Sequence, residues 1–230
     1  QCTPYPAEKD FVDKAVELSA SWAKRCLDSH TKKDQALFAI VQGGVFEDLR
    51  MKSIEELLKI EQAGKIFNGF GIGGYSVGEP HELMFESLGK VCDNLPKDRP
   101  RYLMGVGNPK TLLKAVAQGV DMFDCVLPTR TGRMGTALTS HGRMNLRNSK
   151  YFDDFKPLDE NCDCPVCKKY SRAYLRHLFN QKEMLGPELV STHNLYYLIN
   201  LMTQAKKAIK AGNYESFLAN WLDSPAANDF

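Results

Sequence analysis

Long apolar runs are missing from this chain. None approaches the ~18 residues needed to cross a bilayer, and the opening Gln1-Cys2-Thr3-Pro4-Tyr5-Pro6 lacks the basic-then-apolar order of a signal peptide. Both absences argue against a secreted or membrane protein. A dominant charge is missing too: 30 Lys and Arg against 28 Asp and Glu leave +2, so net charge selects no partner and only local clustering can. Low-complexity tracts, Ser/Gly linkers and close internal repeats are absent as well. What remains, 230 residues with 43% hydrophobic and 25% charged, describes one globular domain or one with a small appendage. Nor do the cysteines suit a disulfide framework. Seven is an odd number, and three crowd into Cys162-Asp163-Cys164-Pro165-Val166-Cys167, which points to reduced, cytosolic, metal-binding thiols. An initiating methionine is also lacking, so the expectation is the C-terminal part of something longer, or a processed product.

A strand–helix alternation is present. Ala36-Leu37-Phe38-Ala39-Ile40-Val41 is a short apolar run ending in Gln42-Gly43-Gly44, as suits a buried parallel strand. Three more runs follow: Phe67 to Ile72 before Gly73-Gly74, Arg101 to Met104 before Gly105-Val106-Gly107, and Val120 to Phe123 before Asp124. Helical patterns lie between them. A capping box of Ser53 and Glu56 is expected to open one, Pro80 the stretch reaching Cys92, and Asn108-Pro109 the stretch holding Leu112, Leu113 and Ala115. An amphipathic helix from about Lys9 to Leu27 precedes the series. Such alternation implies a parallel sheet with helices packed outside it, and ligand chemistry at the carboxyl ends of the strands. Taken singly, each glycine there is explained by a tight turn; the series points to a ligand site. A complete eightfold barrel takes roughly 250 residues, and setting aside a metal-bearing C-terminal region leaves about 150 here, so half a barrel is expected.

After Asp124 the character changes. Cys125 to Phe152 contains no acid but carries Arg130, Arg133, Arg143, Arg147 and Lys150. Thr136 to Leu146 has the pattern of a hairpin turning near Ser140-His141-Gly142, and helices are expected near 171–180, 193–211 and 214–222. Cys162, Cys164 and Cys167 with His193, expected at a helix start, form a donor set that zinc favours in closed, structural sites. His177 is a rival fourth ligand on spacing, and three reduced cysteines in a small core are the plainer alternative. Asp124, at the end of an apolar strand, is a candidate nucleophile, general base or substrate anchor; a local cap is the competing reading. Asp121, three positions earlier, falls on the opposite face. Thr129-Arg130-Thr131-Gly132-Arg133 would bring guanidinium groups beside the reacting centre, where their forked donors suit phosphate. A second acid-free run, Pro165 to Lys182, sets Arg172 and Arg176 on one helix face, suiting either a nucleic-acid backbone or plain solvation.

Asp121-Met122-Phe123-Asp124-Cys125-Val126-Leu127-Pro128-Thr129-Arg130 resembles the signature of the tRNA-guanine transglycosylases. So do Tyr102 to Gly107, the three cysteines with His193-Asn194, and Cys2-Thr3-Pro4-Tyr5-Pro6; the likeness runs essentially from end to end. The resemblance implies the C-terminal portion of a (β/α)8 TIM barrel with an inserted zinc-binding subdomain. It would divide into partial barrel over 1–128, basic hairpin and zinc subdomain over 129–192, and C-terminal helices over 193–230. It favours His193 over His177 and makes the zinc structural. The implied activity is exchange of guanine at the tRNA wobble position for 7-aminomethyl-7-deazaguanine, a step toward queuosine, through a covalent bond from Asp124 to ribose. By the same resemblance Gln42, Gly74 and Met104 recognise the base. The Gly73 to Glu79 segment, Tyr75 included, supplies backbone contacts, Glu79 stabilises either those contacts or the substrate's ammonium, and Arg130 and Arg133 bind RNA. Val77 follows the bacterial pattern, whereas Tyr75 stands where leucine is usual, which leaves the incoming base open. A homodimer in the cytoplasm, with no membrane contact, is the implied setting. The family's first strands, its general-base aspartate, a stacking aromatic and a further base-reading aspartate would all precede Cys2, so chain 1–230 alone is expected to be inactive; full base exchange by it would overturn that. Two other readings are a non-catalytic tRNA-binding accessory subunit, which has no use for a nucleophile, and a stand-alone zinc module, which leaves the strand-end residues unexplained.

Overall fold

The computed structural model describes residues 1–62 and 64–227. They divide into two compact units, one made of Gln1–Val106 with Ala115–Asp124, the other of Gly107–Lys114 and the chain from Cys125 onward.

The first unit is a parallel α/β layer. Helix α1 (Lys9–Ser29) leads into β1 (Phe38–Val41), α2 (Glu47–Ile60), β2 (Gly69–Ile72), α3 (His81–Asn94), β3 (Arg101–Leu103) and β4 (Met122–Phe123); the intervening α4 (Pro109–Ala117) belongs to the other unit as far as Lys114. All four strands pair in parallel in the order β1-β2-β3-β4. Each successive strand is added on the same side of the last, so right-handed crossovers place α2 and α3 on one face of the sheet. A doubly wound sheet would reverse its order instead. Burial agrees. On one face Ala39, Val41, Phe70, Ile72 and Leu103 are at most 1% exposed and share a core with Leu57 of α2 and Leu88 and Val91 of α3. On the other, Ile40 is 40% and Met122 46% exposed. Each fully buried leucine contributes about 1.5–3 kcal/mol, so the helix-covered face holds the sheet together while the opposite face stays open.

Helix α3 begins just after Pro80, and Asn108 Oδ1 accepts from Thr111 N at 2.8 Å to cap α4. The expected capping box is a correction: α2 starts at Glu47, and Ser53 lies buried in its interior, where its hydroxyl accepts from Gln42 N at 3.1 Å. Glu47 and Asp48 in the first turn complement the helix dipole and supply the start that Ser53 was expected to give.

The second unit contains α5 (Leu127–Arg133), a hairpin of β5 (Thr136–Thr139) and β6 (Gly142–Asn145), and then α6 (Pro165–Lys169), α7 (Arg172–Asn180), α8 (Leu185–Lys210) and α9 (Tyr214–Leu222). Helix α8 starts eight residues before the expected 193. Gly186-Pro187 looks like a breaker, yet Pro187 falls in the first turn, where an N–H has no intrahelical partner to lose. Gly186 packs so closely that a β-carbon there would lie 3.1 Å from Leu178 Cβ. His193 therefore sits inside a helix, not at its start. Arg172 is the second correction. Arg172 pairs with Asp154 at 2.9 Å and donates to Leu158 O, and Arg176 Nε donates to Asn148 O at 3.0 Å. Arg172 is thereby held by protein groups of its own unit, whereas Arg176 commits only its Nε.

Candidate functional site

Register assembles the first group of residues. Val41 pairs with Ile72, Ile72 with Leu103, and Leu103 with Phe123. The next residue on each strand is Gln42, Gly73, Met104 and Asp124, so these four stand in one row across the carboxyl ends. The ladder continues through them, with Gly73 N bonded to Val41 O at 3.0 Å and Met104 N to Ile72 O at 3.3 Å. Strand alternation turns the row away from the helix-covered side and onto the open face. At ~4.8 Å per strand, Met104 neighbours Asp124, and Gln42 stands about 14 Å away along the row.

Between them β2 shows only glycine to this face, at Gly69, Gly71 and Gly73. A β-carbon at Gly73 would lie 2.9 Å from Gln42 Nε2, one at Gly74 2.9 Å from Gln42 Oε1, and one at Gly71 3.4 Å from Met104 Sδ. The Gln42 amide thus lies over bare Gly73–Gly74 backbone, and the Met104 thioether over Gly71. Beyond them the loop is held from below. Glu79, 8% exposed, accepts from Ser76 N and from Val77 N, the latter at 2.9 Å. Tyr75 points inward: it is 3% exposed and its hydroxyl meets Ser87 Oγ at 2.6 Å. Whatever binds the open face meets the backbone at Tyr75, not its ring.

Asp124 is exposed, and its Oδ1 accepts from Tyr102 OH at 2.7 Å and from Gly105 N at 2.8 Å. Those two bonds, the Gly105 amide first, hold its pKa below the ordinary Asp value, so the group is a carboxylate at neutral pH. Oδ2 carries no hydrogen bond from another described residue. Both the cap and the candidate nucleophile are therefore present in one side chain, divided between its oxygens. Asp121 is spent elsewhere, accepting from Arg101 N and Nε at 2.9 and 3.0 Å. Tyr102 escaped sequence reasoning as a site residue. Its signal was parity, since it lies two positions before Met104 and so shares that face. Tyr102→Phe removes one of the two stabilising bonds, and the Asp124 pKa should rise toward its ordinary value. The acid limb of any Asp124-dependent activity should move to higher pH, with less than about a tenfold loss on the plateau and little change in melting temperature. A pH–rate profile checks this, and an unmoved limb would refute the coupling.

The second group lies in the other unit. The donor atoms of Cys162, Cys164, Cys167 and His193 all fall within 4.8 Å of one another. His193 Nδ1 is 3.4 Å from Cys164 Sγ, 3.4 Å from Cys167 Sγ and 3.8 Å from Cys162 Sγ. A tetrahedral zinc with S and N ligands requires donor separations of about 3.6 Å, so the set fits that ion. His193 Nε2 faces Leu138 O at 2.8 Å, which assigns the proton to Nε2 and leaves the Nδ1 lone pair for a metal. Burial lowers the His193 pKa, but hydrogen bonds with Cys162, Cys164 and Leu138 outweigh it and raise the value to about 9, so the sulfurs favour a positive charge at Nδ1, which a bound cation would supply in place of a proton. His177 is exposed on α7 and is not in the cluster.

Asn194, the next residue, was missed as a structural centre. Fully buried, it accepts from Leu138 N at 2.8 Å and donates to Pro128 O at 3.0 Å and Thr136 O at 2.9 Å. It clamps α5 and the hairpin to α8, where Gly132 leaves room for Ser191: a β-carbon would come 2.7 Å from Ser191 Oγ. Arg130 and Arg133 are exposed on α5. Asn194→Ala removes the partner of Leu138 N and of Thr136 O, while Pro128 O keeps Thr131 Oγ1, and should cost about 2 kcal/mol or more, read as a fall in the unfolding midpoint of this unit. A change within 0.5 kcal/mol would show that the clamp is dispensable.

Fold and site together define a parallel α/β protein with a row of strand-end residues ending in one carboxylate, Asp124, and a separate histidine–tricysteine cluster that could hold a metal ion. A family model described as queuine tRNA-ribosyltransferase matches residues 1–227. Relatives named queuine tRNA-ribosyltransferase include one from Desulforamulus reducens, 51% identical over 96% of this chain and 59% of its own length. One from Ruminiclostridium cellulolyticum is 51% identical over 94% and 57%, and one from Staphylococcus aureus 47% identical over 99% and 59%. The chain belongs to the queuine tRNA-ribosyltransferase family. It spans between 57% and 59% of the length of these relatives.

Proposed function

We propose that these residues belong to a tRNA-guanine transglycosylase that replaces guanine at the anticodon wobble position with 7-aminomethyl-7-deazaguanine. The observation that carries this reading is the in-register row of Gln42, Gly73, Met104 and Asp124 on the open face of the sheet. Asp124 Oδ2 attacks the anomeric carbon of the ribose, the glycosidic bond breaks, and guanine leaves with the bonding electrons and takes up a proton. The incoming base then attacks the same carbon through its ring nitrogen, loses its proton, and displaces the carboxylate. Two displacements through an oxocarbenium-like transition state retain the sugar configuration, as in retaining glycosidases. The bonds to Tyr102 and Gly105 keep Asp124 ionised for the first step. Gln42 and the Gly73–Gly74 backbone supply donors and acceptors to the base edge, Met104 covers one side of the ring, and Glu79 keeps the loop backbone in place.

The sequential, one-sided winding supports residues 1–128 as part of a (β/α)8 barrel whose interior is the open face. On this reading the segment 129–192 belongs to the basic hairpin and zinc subdomain, and the part of α8 from His193 onward, with α9, completes the zinc site; residues 228–230 lie outside the described residues. Cys162, Cys164, Cys167 and His193 would hold a structural zinc, whose closed shell supplies rigidity and no catalysis. Arg130 and Arg133 contact tRNA phosphates. A cytoplasmic homodimer is the proposed assembly. The test is incorporation of labelled guanine into unmodified tRNA by the natural gene product that contains residues 1–230, followed by chase with 7-aminomethyl-7-deazaguanine. Incorporation that the second base reverses supports the reading, and tRNA binding without any exchange overturns it in favour of an accessory subunit.

A further inference from the structure

Arg50 is 0% exposed and among the largest fully buried side chains of the protein. It projects from α2 between the two loops that begin the strand-end row. Its Nε donates to Gly44 O at 2.7 Å and its Nη1 to Gly73 O at 3.0 Å, while its guanidinium carbon lies 3.3 Å from the centroid of the Tyr75 ring. Among the described residues it makes no ion pair, and Nη2 has no partner. Burial pushes its pKa down to about 10, which still leaves a cation at neutral pH. A buried, unpaired guanidinium is costly, and an apolar side chain of similar volume would fill the space without that cost. The surroundings are shaped to admit it. Gly43 has φ +136°, and a β-carbon there would meet Arg50 Cγ at 2.7 Å; one at Gly74 would lie 3.6 Å from Nη2. The Tyr75 ring, held by its bond to Ser87, covers the flat face of the guanidinium.

Gly44 follows Gln42 by two residues, and Gly73 and Gly74 are the backbone over which the Gln42 amide lies. We infer that Arg50 is a positioning residue: by tying the loop after β1 to the loop after β2, its fork fixes how the Gln42 amide is set against the Gly73–Gly74 backbone, the polar edge that reads the base. This rests on the transglycosylase reading. It also explains why tyrosine at position 75 is compatible with the site, since its ring serves the arginine and not the ligand. Lysine cannot take over, because a single ammonium lacks the planar pair of donors that reaches two carbonyls while stacking on a ring.

The test compares Arg50→Lys and Arg50→Met with the unaltered natural gene product. KM for the base should rise at least tenfold in both, while KM for tRNA stays within twofold; a role in stability alone would move neither KM selectively. A base KM within twofold of the unaltered protein in either folded variant overturns the inference. If neither variant folds, the unaltered protein labelled with ¹⁵N-arginine decides it. The Arg50 Nε–H should exchange slowly and shift on saturation with 7-aminomethyl-7-deazaguanine; rapid exchange, or no shift, overturns it. Lack of any exchange by the unaltered protein would sink the transglycosylase reading, and this inference with it. Normal exchange with an Arg50-independent base KM would sink this inference alone.

Discussion

Asp124→Asn should lower base exchange by the natural gene product at least a thousandfold and abolish the covalent RNA adduct. The reasoning is chemical before it is structural. An amide oxygen is a far weaker nucleophile than a carboxylate, and it cannot balance the positive charge that develops on the ribose as guanine departs. The substitution preserves shape, and the asparagine oxygen can still accept from Tyr102 OH and Gly105 N, the two bonds that hold Asp124 Oδ1. Because the side chain is exposed, the melting temperature should stay within about 2 °C, which separates lost chemistry from lost folding. The measurement is a denaturing gel of enzyme incubated with unmodified tRNA, read alongside labelled-guanine exchange. A shifted protein–RNA band should form with Asp124 and vanish with asparagine. Persistence of that band would remove Asp124 from the nucleophile's role and leave it the cap for the loop at Gly105.

The strands were legible because the physics there is local. Phe38–Val41, Gly69–Ile72, Arg101–Leu103 and Met122–Phe123 are apolar runs stopped by glycine or aspartate, and a parallel strand buried on its helix side requires little more. Register was not legible, yet it is register that turns Gln42, Gly73, Met104 and Asp124 from four separate loop residues into a row. Helix starts failed where a side chain had a tertiary use. Ser53 looks like a cap but bonds Gln42 N from inside α2, and Gly186-Pro187 looks like a stop but packs within the first turn of α8. Charge was misread for the same reason. Arg172 suited a nucleic-acid backbone or plain solvation by its spacing and is consumed by Asp154 and Leu158, and Arg50 drew no notice because nothing in a sequence marks an arginine as buried. The cysteine cluster was plain in spacing. Its fourth member took shape only when α8 carried His193 beneath the hairpin and Leu138 O fixed its ring.

The fourth member of that cluster sets up the second large effect. His193→Ala should reduce bound zinc from about one per chain to below about 0.2 and lower the unfolding midpoint of the unit that carries it by 10 °C or more. Structural zinc sites in small domains contribute on the order of 10 kcal/mol, comparable to the entire net stability of a domain, so losing the ion cannot be absorbed locally. The damage should spread along defined bonds. Leu138 offers its carbonyl to His193 and its N–H to Asn194, so freeing one end of that residue loosens the clamp that joins β5 to α8. Acid should reproduce the effect in the unaltered protein, because the thiols must be deprotonated to bind metal and affinity falls as pH drops. His177→Ala is the decisive comparison. Its imidazole is exposed on α7, outside the donor set, so zinc content and midpoint should stay at the level of the unaltered protein. If instead His177→Ala empties the site while His193→Ala keeps it filled, the ligand set is wrong, and the hydrogen bond between His193 and Leu138 is only a packing contact of the hairpin.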